Sequence, residues 1–160
     1  MELTSLIYLE CQGKILMLYR NKKKQDINAQ KWIGVGGKFE AGESPIACAR
    51  REVFEETGQE LLEPVFRGVI TFSYVNASPR YLFLYTGRLA DFEVTETNEG
   101  EFAWVAPEDI FDLALWPGDR LFLKPLLRED GLIDMTLTYD EADQLVVAYD
   151  NLRQTSLLPS

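Results

Sequence analysis

The sequence predicts an α/β protein, and three observations carry that prediction. Short runs rich in aliphatic, β-branched and aromatic residues recur along most of the chain; one helix is bounded by strong start and stop signals; and a helical pair follows near the C-terminus. At 160 residues, 46% hydrophobic and 26% charged, the chain has the size and composition of one globular domain, expected to span residues 1–160. A chain of this length can bury roughly 70% of its unfolded surface around a single core.

Residues 3–10 and 14–19 are aliphatic runs separated by Cys11-Gln12-Gly13, which reads as a hairpin. Residues 21–31 are polar, carry Lys22, Lys23 and Lys24, and read as a mobile loop or as one that also steers anions. Residues 32–35 return the chain to the sheet. Ser44 then supplies an N-cap, Pro45 occupies a first helical position that needs no N–H partner, and Gly58 supplies the stop. Residues 65–75 and 80–89 flank the turn cluster Asn76-Ala77-Ser78-Pro79, a second hairpin. The acidic stretch 93–101 reads as a loop leading into a short strand at 102–105. Residues 107–115 and 119–128 read as helices, the second kinked or ended by Pro125. Residues 135–138 and 145–148 suggest a last hairpin, and the tail from Asn151 is expected to be loosely held.

Charge narrows the function. With 26 acidic against 16 basic residues the net charge is −10, which argues against a binder of nucleic-acid polymers or anionic membranes. No apolar run approaches the roughly 18 residues a membrane span needs, and Met1-Glu2 begins no signal peptide. Cys11 and Cys48 are too few for a disulfide framework, so both are expected free and the protein cytoplasmic. The chain has no histidine, which removes Ser-His and Cys-His catalysis and every His-ligated metal site. Acid–base chemistry must rest on carboxylates, lysines, tyrosines or metal-bound water.

The helix after Ser44 places Ile46, Ala49 and Val53 on one stripe and Glu52, Glu55 and Glu56 on an arc of about 100° beside it. Glutamates at these spacings repel by a few tenths of a kcal/mol per pair, and the negative end of the helix dipole adds about 0.3–1 kcal/mol for each. Arg51 relieves only part of this. The arrangement implies a solvated face or a bound cation, and oxygen-only ligands suit hard cations such as Mg²⁺ or Mn²⁺.

Gly37, five residues, Glu43, seven residues, then Arg51-Glu52-Val53-Phe54-Glu55-Glu56-Thr57-Gly58 closely resembles the Nudix box of the Nudix hydrolase superfamily, spanning about residues 37–59. The box departs at its last position, where the family has an aliphatic residue and this chain has Gln59, with Leu61 nearby to fill the apolar site. The resemblance covers about residues 3–130 and implies an α/β/α sandwich with a mixed β-sheet. It also implies a role for each box residue: Glu52, Glu55 and Glu56 as metal ligands, a carbonyl of Gly36 or Gly37 as another, and Arg51 with Glu43 orienting Glu52. One more catalytic or metal-binding carboxylate is expected before the strand at 102–105, at Glu99, with Glu101 and Glu96 as alternates.

Residues 31–38 and Trp116-Pro117-Gly118-Asp119 look most like the MutT-like, 8-oxo-dGTP diphosphatase branch. The implied reaction is metal-assisted hydrolysis of a nucleoside triphosphate to nucleoside monophosphate and diphosphate, with a small-molecule nucleotide as substrate and a monomer or homodimer as the working unit. Arg20 and Lys38 are candidate phosphate contacts or plain surface cations. Trp116 and Asp119 are candidates to stack on and read the base, with Phe72 and Tyr74 in support; the alternative is a buried Trp beside an N-cap Asp. In purine-sanitising relatives an Asn that contacts the base precedes the glycine loop, where this chain has Ile33. Rival readings are hydrolysis of nucleotide sugars or dinucleoside polyphosphates, and a non-catalytic nucleotide-binding module.

Overall fold

A computed structural model describes residues 1–22 and 30–159. The strands are β1 (Glu2–Cys11), β2 (Lys14–Tyr19), β3 (Trp32–Ile33), β4 (Val35–Lys38), β5 (Leu62–Tyr74), β6 (Arg80–Arg88), β7 (Glu101–Val105), β8 (Ile133–Tyr139), β9 (Leu145–Asp150) and β10 (Thr155–Ser156). Two helices join them, α1 (Pro45–Thr57) and α2 (Pro117–Arg128), with a 3₁₀ turn at Pro107–Asp112. The sheet is mixed: β1 runs parallel to β6 and β5 parallel to β8, while the other pairs are antiparallel.

The alternation of β1 divides the core. Ile7 and Leu9 join Leu16, Val35, Ala49, Val53 and Leu61 in the layer beneath α1. Leu6 and Tyr8 point the other way, into the layer closed by Phe122, Leu123 and Leu126 of α2. The result is the α/β/α sandwich expected from the sequence. Along one edge β1 pairs first with β4, at residues 4–7, and then with β2, at residues 9–11. The sheet forks there, and the glycine segment lies on one branch of the fork.

Helix α1 begins and ends where its caps require. The Ser44 hydroxyl accepts from the Ala47 N–H at 3.1 Å, and Gly58 closes the helix at φ 77°, its N–H reaching the Phe54 carbonyl. The buried Ser5 of β1 donates to the Pro45 carbonyl at 2.8 Å, fixing the helix start against the sheet.

Three expectations are corrected. The segment 107–115 forms only a 3₁₀ turn to Asp112: the Phe111 carbonyl, which an α-helix would pair with the N–H of Leu115, accepts instead from the Arg120 guanidinium, which also holds the Leu113 carbonyl. Helix α2 starts at Pro117 and continues through Pro125 to Arg128, so Asp119 sits in its first turn and is not the N-cap. The tail is held: β10 pairs with β9, the Leu157 N–H donates to the Ala148 carbonyl at 2.7 Å, and Leu157 and Leu158 pack on the α2 layer. Cys11 and Cys48 are free and buried. Among the described residues no helix is long and apolar enough to cross a membrane. Lys23 and Lys24 lie outside the described residues.

Candidate active site

Arg51 is the hub of the α1 cluster. It donates to Glu43 at 2.7 and 2.8 Å, to Glu52 at 2.8 Å, to Glu55 at 3.2 Å and to the Lys38 carbonyl at 3.0 Å. One guanidinium thus ties the glycine segment, the following turn and the helix together. Its two bonds to Glu43 hold that carboxyl down to about 2, and the same contacts raise the Arg51 pKa. Gly36 has to be glycine, since a Cβ there would run into the Ser5 carbonyl of β1, whereas a Cβ at Gly37 would push on the Glu52 carboxylate and displace it.

Glu52 lies against this backbone with its side chain only 14% exposed, whereas Glu55 is 54% exposed and touches the cluster through Arg51. Burial raises the Glu52 pKa, and the contact with Arg51 opposes the rise. Glu56 is raised further, first by burial and then by Glu99, with Glu52 adding to it; the Gly36 N–H donates to it at 3.3 Å. The Gly37 carbonyl accepts from the Cys48 thiol at 3.4 Å.

Beside this corner opens a cleft of about 830 Å³. Gly36, Gly37, Arg51, Glu52 and Glu99 line one part of it, with Arg20 and Lys38. Arg20 pairs with Glu99 at 3.6 Å, and Lys38 reaches Glu2 at 3.8 Å. Of the three carboxylates the sequence offered, Glu99 is the one on the cleft. Glu96 is exposed, and Glu101 is an exposed strand residue opposite Tyr19.

Ile33, Phe72, Trp116 and Asp119 line the other part. Trp116 is 4% exposed and packs edge-on against Phe72, Tyr74 and Tyr139 at 6.4, 6.4 and 5.0 Å. Tyr74 is outside the cleft lining; burial and Asp143 push its phenol up to about 12. The sequence reading missed three neighbours: Lys31, 5.5 Å above the Trp116 ring; Arg80, 5.9 Å from the Phe72 ring; and Thr4, whose buried hydroxyl has no partner among the described residues. Strand alternation would have placed Thr4 on the face of Leu6 and Tyr8, which is the face of this pocket.

The family model for the NUDIX domain matches residues 4–126. The chain belongs to the Nudix family. It is similar to the uncharacterized Nudix hydrolase YvcI of Bacillus subtilis (31% identical over 147 residues, 86% of this chain and 87% of that one). It is also similar to the oxidized purine nucleoside triphosphate hydrolase of Danio rerio, at 26% identity over 80% of this chain and 81% of the relative. Its fold matches the crystal structure of a mutator MutT protein from Bacillus halodurans, with a TM-score of 0.83 at 24% identity, covering 95% of this chain and 99% of that one. As a Nudix hydrolase the chain acts on pyrophosphate bonds.

The departure from the Nudix box at Gln59 is resolved by packing. Leu61, 4% exposed, joins the α1 layer in place of the family's aliphatic residue. Gln59 turns outward, donating to the Asp91 and Glu93 carbonyls at 3.0 and 2.6 Å and accepting from the Ala90 N–H at 3.1 Å. It stitches the acidic loop to the end of the Nudix helix.

Nudix hydrolases generally use divalent metal ions. Among the described residues no group of three or more acidic or cysteine side chains is gathered so that it could hold a metal ion as it stands. The donor set nevertheless fits a hard cation. It offers oxygen atoms only, and Glu52 and Glu56 are both destabilised as anions by burial and by neighbouring carboxylates, a penalty that a divalent ion would reverse.

Burial also pushes the Asp119 carboxyl up to about 7, against the pull of Lys31. Between its ordinary 3.8 and about 7 the native protein holds a proton there that the unfolded chain has released, so stability should fall as pH rises through that window. Asp119→Asn should flatten this part of the curve in thermal melts. Parallel curves for the two proteins would show that the carboxyl titrates normally.

Proposed function

We propose that the chain hydrolyses purine nucleoside triphosphates, 8-oxo-dGTP or a close relative, to nucleoside monophosphate and diphosphate with Mg²⁺ or Mn²⁺. The observation that carries this is a single cleft lined at one part by Glu52 and Glu99 and at another by Phe72, Trp116 and Asp119. A triphosphate and its base need both. The similarity to the Danio rerio enzyme supports the purine reading.

Glu52, Glu56 and Glu99, with a carbonyl of Gly36 or Gly37, would hold the cation; Glu55 stands at its exposed side. When bound, the ion would neutralise the diphosphate and acidify water. Arg51 and Glu43 hold Glu52 against the glycine segment. Arg20 and Lys38 offer positive charge to the phosphates, and Phe72 and Trp116 give the base an aromatic wall. Asp119 reads the purine edge, because Ile33 brings only apolar surface where a side-chain amide would hydrogen-bond.

Removing a polar group that reads the substrate weakens discrimination by about 1–3 kcal/mol, roughly five- to a hundredfold. Asp119→Ala should therefore lower the preference between 8-oxo-dGTP and dGTP by about that factor in competition kinetics. An unchanged preference excludes Asp119 as the reader, and no turnover of any purine triphosphate moves the substrate to a nucleotide sugar or another diphosphate.

A further inference from the structure

The residues matched to the NUDIX domain end at 126, and Tyr139 lies beyond them at the last position of β8. Its ring is fully buried, 5.4 Å from Phe72, 6.1 Å from Tyr74 and 5.0 Å from Trp116. Its hydroxyl accepts a 2.7 Å hydrogen bond from the Gly118 N–H. That amide belongs to the first turn of α2, where backbone donors have no partner inside the helix. The N-cap residue, Trp116, supplies no side-chain capping bond, so a phenol from a strand does the capping. The fit is close: a Cβ at position 118 would stand 2.6 Å from the Tyr139 oxygen and 2.7 Å from Leu137 Cδ1. Asp119 is the next residue, and its backbone direction is inherited from Gly118.

We propose that Tyr139 is a positioning residue for base recognition: by holding the Gly118 amide, its hydroxyl fixes where the Asp119 carboxylate stands in the cleft. The proposal rests on the reading of Asp119 given above and adds a residue outside the family domain. It separates the two parts of the tyrosine. The ring completes the aromatic wall behind Phe72 and Trp116, whereas the oxygen sets the start of α2. Tyr139→Phe keeps the first and removes the second.

The test is competition between 8-oxo-dGTP and dGTP, with separate kcat and KM values and a thermal melt, on the full chain carrying Tyr139→Phe, Asp119→Ala or both. One hydrogen bond carries about a two- to tenfold effect, so Tyr139→Phe should lower the preference by that factor, chiefly through KM. The double variant should be no worse than Asp119→Ala alone, because the tyrosine acts only through the aspartate. Gly118→Ala drives a methyl group onto the same hydroxyl and should reproduce the shift with Tyr139 in place. If Tyr139→Phe lowers melting temperature and leaves the preference at its wild-type value while Asp119→Ala shifts it, Tyr139 only packs and the proposal is overturned. Losses that add in the double variant overturn it equally. A preference untouched by Asp119→Ala instead defeats the purine reading itself, a result distinguishable from the other two.

Discussion

Glu52→Gln is expected to cut turnover about a thousandfold or more while the protein stays folded. Glu52 lines the cleft, lies against Gly37 and is gripped by Arg51 at 2.8 Å, so its carboxylate is both buried and aimed. The amide keeps nearly the same shape, and its oxygen can still accept from Arg51. What disappears is a negative charge that burial and the neighbouring Glu55 and Glu99 already disfavour. The folded state should therefore lose little and can gain slightly, since removing one member of a repelling set relieves the others. Circular dichroism and a melting curve check the fold, and steady-state kinetics check the rate. Near wild-type turnover would remove Glu52 from the chemistry, and a loss that merely follows unfolding would make its role structural.

Stripping divalent cations should bring hydrolysis to background, and restoring Mg²⁺ or Mn²⁺ should recover it. The reason lies in the charges that must meet. A triphosphate entering the cleft faces Glu52 and Glu99, with the half-buried Glu56 beside them. Two like charges about 4 Å apart repel by about 4 kcal/mol at an effective dielectric near 20. Arg51 is tied to Glu43, Glu52, Glu55 and the Lys38 carbonyl, while Arg20 pairs with Glu99 and Lys38 with Glu2, so the positive charge these two offer the phosphates is already partly offset by carboxylates. Binding of the ion can be followed without turnover. At a hundred times its dissociation constant a ligand adds about 2.7 kcal/mol to stability, so the melting temperature should rise with Mn²⁺ in the wild type and less in Glu56→Gln. Undiminished hydrolysis in excess chelator would sink the metal-dependent reading.

The sequence by itself determined what short-range physics controls. The limits of α1 follow from Ser44, Pro45 and Gly58, each acting within a turn of itself, and the structure reproduces them. The box pattern was legible for the same reason, since Glu52, Glu55 and Glu56 share a helix and their crowding follows from its period. The strands before and after were legible from their apolar runs. Where local signals competed with partners from another element the reading failed: carbonyls of the segment expected to be helical at 107–115 are held by Arg120 of α2, and the tail is captured by β9.

Only the tertiary structure decided which residues meet. Glu99 enters the cleft while Glu96 and Glu101 do not, because the strand beginning at Glu101 pairs with β2 and Gly100 rests against the Tyr19 carbonyl, too close for any Cβ. Leu61 takes the buried place that Gln59 vacates because the chain turns at Gly58 before it re-enters the sheet. The aromatic wall joins Phe72, Trp116 and Tyr139 from three separate elements, held by parallel pairing of β5 with β8. Such pairings depend on the burial of whole faces and on register between strands more than fifty residues apart, for example Phe72 opposite Leu137. No pattern within a helical turn or a strand repeat carries that information, so the capping of Gly118 by Tyr139 becomes visible only when the sheet is assembled.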